Sequence, residues 1–246
     1  MCSLFNVKKI QLNTSKVGNT GDEVIIMCGR FTLTASKEAI QESLQLELFD
    51  DYRPRYNIAP SQPVLSVISD GDKRRAGYLR WGLVPVWAKD PKIGYKMINA
   101  RGETIDEKPA FKRLLQRRRC LVVADGFYEW LKKDDKKQPY RITINDGGVM
   151  TFAGLWDRWK SDDEEIVSCT IITTKPNELM SDIHDRMPVI LGEEERKVWL
   201  DTSIEDKHIL KDLIKPYAAK EMRAYEVSEL VNSPRNESKE CIKSLA

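Results

Sequence analysis

Apolar and polar residues alternate along much of the chain in short runs separated by turn formers. The run "PVLSVIS" (Pro63–Ser69) reads as a strand, and "DGDK" turns it back into "AGYLRWG". "CLVVADGFYEWL" predicts two apolar strands hinged at Asp125 and Gly126. In "PYRITIN", Tyr140, Ile142 and Ile144 alternate with Arg141, Thr143 and Asn145, which at a period of two predicts a half-buried strand. "NDGG" then turns into the strand "VMTFAGLW", and further strands are expected at "IVSCTIITT" and "MPVIL". Helical signals are fewer. Ser36 can cap a helix that carries Ile40, Ser43, Leu44 and Leu48 on one side, and Pro109 suits the first turn of a helix through Leu115. Short helices are also expected near "NELM" and through "EEERKVWL". Hairpin-type turns outnumber crossover helices. The expected fold is therefore α+β, a single domain around a barrel-like antiparallel or mixed sheet with interspersed helices.

Periodicity is weak at both ends. Residues 1–26 read as a polar extension, 27–232 as the folded domain and 233–246 as a flexible tail.

Charge and cysteine content narrow the function classes. The 40 basic and 38 acidic side chains leave a formal charge of +2, so any anion-binding surface has to come from local segregation. Such segregation exists: "KRLLQRRRC" and "DKRR" are basic, "DDEE" and "EEE" acidic. The five cysteines, Cys2, Cys28, Cys120, Cys169 and Cys241, form no C-x-x-C pair, and their odd number suggests a reduced, cytoplasmic chain. With His184 and His208 the only histidines, no metal site is expected. No apolar run approaches the roughly 18 residues of a membrane span.

The stretch "IIMCGRFT" raises the chemical question. If translation starts at Met27, the small residue after it permits removal of the methionine, and Cys28 becomes N-terminal. An α-amine of pKa near 8 then stands beside the thiol, and part of it is neutral at pH 7, unlike a lysine. Such an amine can form a Schiff base with an aldehyde. The thiol can then add to the same carbon and close a five-membered thiazolidine, which no internal cysteine can do.

The company Cys28 keeps is specific. Taken in order, Met27 to Phe31, Asn57 to Pro60, Trp81 to Leu83, Asn99 to Arg101, Ala124 to Trp130 and His184 to Arg186 resemble the SOS-response-associated peptidase (SRAP) family, the abasic-site processing proteins. The resemblance implies that Cys28 crosslinks to the ring-opened aldehyde of an abasic site in single-stranded DNA. It also implies that Asn99, Glu129 and His184 serve as catalytic groups. By the same resemblance Arg101, Arg186 and Arg30 contact phosphates, Pro60 and Trp81 wedge or stack beside the lesion, and Thr173 lies near the site. It implies no cofactor. The expected partner is single-stranded DNA bound by a monomer.

One feature departs from the family pattern. Here 27 residues precede Cys28, and a peptide-bonded Cys28 has no free amine. Met27 as the true start, removal of the extension and an inactive longer form are the alternatives, of which the first is favoured. Two other functions remain open on sequence alone: a thiol peptidase using Cys28 with His184, and a non-catalytic single-strand binding module.

Overall fold

A computed structural model of the chain describes residues 28–46, 52–71, 73–133, 136–145 and 147–245. The predicted extension and Leu48 lie outside the described residues. β1 (Phe31–Leu33) is followed by α1 (Lys37–Leu44), β2 (Arg55–Ile58), β3 (Pro63–Ser69), β4 (Arg74–Trp81) and the short β5 (Asn99–Arg101). α2 (Lys112–Arg117) leads into β6 (Arg119–Ala124), β7 (Gly126–Lys133), β8 (Lys136–Ile144), β9 (Met150–Lys160) and β10 (Glu165–Thr174). Then come α3 (Glu178–Ser181), β11 (Met187–Pro188), α4 (Glu193–Leu200), α5 (Lys207–Asp212) and β12 (Met222–Glu226).

Five strands close into a barrel in the order β10-β4-β3-β6-β9, with β9 pairing back onto β10. The β10–β4 contact is parallel and the others antiparallel, so the barrel is mixed, as expected. β5 adds to β10 in parallel, setting Asn99 beside Ile171 and Arg101 beside Thr173. A second, antiparallel sheet runs β12-β8-β7-β1-β2. The two sheets share one core, in which Phe31 of β1 packs on Trp81 of β4 and Phe152 of β9.

Local signals account for several boundaries. The Ser36 side chain accepts from Ala39 N and starts α1, whose Ile40 and Leu44 are buried. Asp125 separates β6 from β7, where the sequence placed the hinge. The helix expected from Pro109 begins later, at Lys112, because turns closing onto the Lys108 carbonyl occupy the preceding residues.

Two expectations require correction. β8 does not face solvent on its second side: Arg141 and Thr143 are buried, and the Arg141 guanidinium bonds Asp125, Thr32 and Tyr225. Nor is the C-terminal segment a loose tail. The Glu237 carboxylate accepts from the backbone N–H groups of Tyr56 and Asn57 and pairs with Arg55, Cys241 is buried, and Ser244 bridges to Val227. The Glu237 partners lie about 180 residues away in sequence, where local composition carries no trace of them. Among the described residues no helix is long and apolar enough to cross a membrane.

Candidate active site

Cys28 stands just before β1, the strand wedged between β2 and β7. Pairing of Phe31 with Phe127 and of Thr32 with Gly126 fixes this start of the sheet against β7. Asp125 locks it from behind, accepting from the Thr32 and Thr34 hydroxyls and from the Ala35 N–H, with Arg141 as counter-ion. The buried Cys28 backbone N donates to Glu129 Oε1 across 2.9 Å, and the charge of the same carboxylate acts on its thiol. Both atoms that carry the chemistry of a cysteine terminus therefore converge on one side chain.

Glu129 lies on β7 and is itself buried. Burial raises its carboxyl to about 7, with His184 and the Cys28 hydrogen bond pulling the other way. Burial is also the main cause that holds the Cys28 thiol well above its ordinary range, and the Glu129 charge adds to it. His184 sits in the loop after α3, its N–H bonded to the Met180 carbonyl, and brings Nε2 to 3.9 Å from Glu129 Oε2. Its Nδ1 accepts from the Arg186 N–H, which places the proton of the neutral ring on Nε2, facing Glu129.

The fold thus brings Cys28, Glu129 and His184 into one chain of contacts although they are widely separated in sequence. Asn99 and Arg101 are placed differently. Through β5 they line a neighbouring cleft of about 420 Å³, together with Trp87, Lys96, Lys108 and Phe111. The cleft offers an exposed indole and three cationic side chains.

The remaining residues singled out from sequence separate into exposed and structural ones. Pro60 is half-exposed in the turn between β2 and β3, held there by Ser61 N–H donating to the Trp81 carbonyl. Arg101 is exposed. Trp81 is fully buried: it packs on Phe31, and its Nε1 donates to the Ile98 carbonyl, so it cannot stack on a base. The exposed aromatic lining the cleft is Trp87, at 57%. A sequence signal for it existed in "VPVWAKD", where an indole among turn residues and lysines sits outside any alternating run. Its loop is pinned where Gly82, at φ +127°, crosses Gly94; a Cβ on Gly82 would meet the Gly94 carbonyl oxygen at 2.6 Å.

Arg30 is also committed to the scaffold. Its guanidinium donates to Asn57 Oδ1 and to the carbonyls of Val231 and Asn232, tying the C-terminal segment to β2. Thr173 is buried and accepts from Arg186 through both its carbonyl and its hydroxyl. Arg186 closes its fork on Glu103 at 2.7 and 2.9 Å, with a side chain only 9% exposed. Thr173 and Arg186 are buried and Arg30 is half-buried, each with its polar atoms turned to protein partners.

The chain is similar to known proteins over most of its length. A family profile described as "SOS response associated peptidase (SRAP)" matches residues 27–234. The chain is 52% identical over 223 residues to the Bacillus subtilis abasic site processing protein YoqW, covering 89% of this chain and all of that one. It is 36% identical to the Xenopus tropicalis abasic site processing protein HMCES, over 80% of this chain and 68% of the relative. Among solved structures, a protein from Bacteroides thetaiotaomicron superposes with a TM-score of 0.77 at 29% identity, covering 89% of this chain and all of that one.

Proposed function

Because the chain belongs to the SOS response associated peptidase (SRAP) family, we propose that it processes abasic sites in DNA by crosslinking Cys28, as the N-terminal residue, to the lesion's aldehyde. The observation that carries this reading is the convergence of the Cys28 backbone N and thiol on Glu129. A carboxyl near neutrality can take a proton from the attacking amine and return it to the departing hydroxyl, and His184 can protonate the sugar ring oxygen as it opens. Imine formation gives access to lyase-type chemistry. Closure by the thiol gives the more durable thiazolidine.

Backbone conformation supports a chain that begins at Cys28. This residue lies at φ +45°, a left-handed conformation that costs a non-glycine residue about 1–2 kcal/mol. Part of that cost comes from the carbonyl of the preceding residue, which an N-terminal Cys28 lacks. The same burial weighs against a thiol peptidase, because it suppresses the thiolate that a peptidase would need.

On this reading single-stranded DNA follows the cleft of Trp87 and Arg101, with Pro60 beside the lesion and Asn99 positioning the sugar or amine. Arg186 and Thr173 act behind this surface. The test is mixing protein that begins at Cys28 with single-stranded DNA carrying one abasic site. A heat-stable adduct with abasic but not intact DNA, retained on Cys28 by mass spectrometry, is expected. Equal yield from Cys28→Ser, or from protein in which Cys28 is still peptide-bonded, would overturn the thiazolidine.

A further inference from the structure

His184 Nδ1 has two neighbours whose demands exclude each other. The Arg186 N–H donates to it across 3.1 Å, which requires a lone pair. Asp185 Oδ1 also lies 3.1 Å away and can pair with Nδ1 only when a proton sits there. The ring is therefore built for two states: proton on Nε2 with Nδ1 held by the amide, or proton on Nδ1 held by the carboxylate. Exposure rises along the line away from Cys28. The Glu129 side chain is 2% exposed, His184 17% and Asp185 80%.

We infer that Asp185 is the solvent end of a proton relay running from Cys28 through Glu129 and His184. It is a positioning residue, acting on the reaction through His184, and the inference rests on the thiazolidine reading above. In that reaction the neutral amine adds to the aldehyde, and the carbinolamine hydroxyl takes up a proton and leaves as water. The thiol sulfur then bonds to the iminium carbon, the C=N electron pair returns to nitrogen, and the thiol proton is released. One proton enters and one leaves; amine, aldehyde and thiol become thiazolidine and water.

Glu129 is 1% exposed, so a proton it gives or takes has to pass through the groups beside it. Inward, the His184 Nε2–H bond breaks as a Glu129 O–H bond forms, while Nδ1 gains a proton from water by way of Asp185. Outward, the same bonds change in reverse. Glu129 Oε2 stands 3.9 Å from Nε2, and the transfer requires that gap to close. The cation beside this line is Arg186, neutralised by its fork on Glu103.

The experiment compares adduct formation by the parent and Asp185→Asn, both beginning at Cys28, at saturating protein across pH 5 to 9. Asp185→Asn is expected to be about tenfold slower at neutral and higher pH and to converge with the parent at the acid end, where the buffer supplies protons. Formate and the Asp185→Glu variant should each restore the rate. Melting temperature and affinity for intact DNA should not move. An Asp185→Asn profile that matches the parent's overturns the relay. So does a pH-independent loss accompanied by lowered stability, which would make Asp185 structural. A parent that forms no adduct overturns the abasic-site reading and takes the relay with it.

Discussion

The rings of Phe31 and Trp81 meet with centroids 5.2 Å apart and planes tilted by 58°, joining the N-terminal strand to the barrel. Truncating Trp81 empties this contact and removes one of the two hydrogen bonds to the Ile98 carbonyl, leaving only that from the Ile171 N–H. Trp81→Ala is therefore expected to cost about 3–5 kcal/mol of folding stability. Trp87→Ala should leave the melting temperature nearly unchanged and weaken single-stranded DNA binding by about 1–3 kcal/mol, the range for one base–aromatic stack. Chemical denaturation and fluorescence titration of the two variants would separate the roles. Equal DNA affinity in Trp87→Ala and the parent would remove Trp87 from the DNA path.

Glu129 predicts an unusual pH dependence of stability. Its folded carboxyl lies near 7, above the ordinary value of about 4.3, so the folded chain binds the proton more tightly than the unfolded one. The stabilisation is complete below about pH 4 and is lost as pH rises through 7. The shift corresponds to up to about 4 kcal/mol between those limits. Glu129→Gln cannot ionise and should abolish this slope. Urea midpoints at pH 5 and pH 8 test it, and an unchanged slope in Glu129→Gln would place the titration elsewhere.

The Asp125–Arg141 pair is 3.2 Å apart and almost completely buried. Removing one partner leaves the other charged in an apolar setting, so Arg141→Met and Asp125→Asn should each cost about 3–5 kcal/mol. Because Asp125 also holds the Thr32 to Ala35 backbone, Asp125→Asn should increase amide hydrogen exchange along β1 and slow adduct formation. Exchange confined to the β7–β8 hairpin would show that β1 is held by other contacts.

The two arginines near the cleft should behave differently in salt titrations. Arg101 is exposed, and Arg101→Ala should lower the salt slope of DNA binding by about one unit without destabilising the fold. Arg186→Ala should lower the melting temperature instead, because its bonds to Glu103 and Thr173 join the turn after β5, β10 and the His184 loop. A full unit of slope lost in Arg186→Ala would show that DNA displaces Glu103 from the guanidinium.

Much of the scaffold was legible in the chain. Alternation and turn residues placed most long strands, because a strand half covered by its sheet imposes a period of two, and Ser36 marked α1 through its own side-chain cap. Sequence likewise singled out Cys28 by the chemistry open to an N-terminal cysteine, and Glu129 and His184 through the motifs that resemble the SRAP family. Burial was not legible in the same way. "WGLVPVWAKD" contains two tryptophans, and only barrel closure decides that Trp81 faces Phe31 while Trp87 faces solvent. Arg30, Arg141 and Arg186 look alike as surface cations, yet each is consumed by partners brought from distant segments. Charge type and local period are properties of neighbouring residues, so the sequence determines them alone. Which polar groups meet, how far water is excluded from Glu129, and that the C-terminal residues fasten onto β2 depend on long-range closure of the sheets, and the tertiary structure decides them.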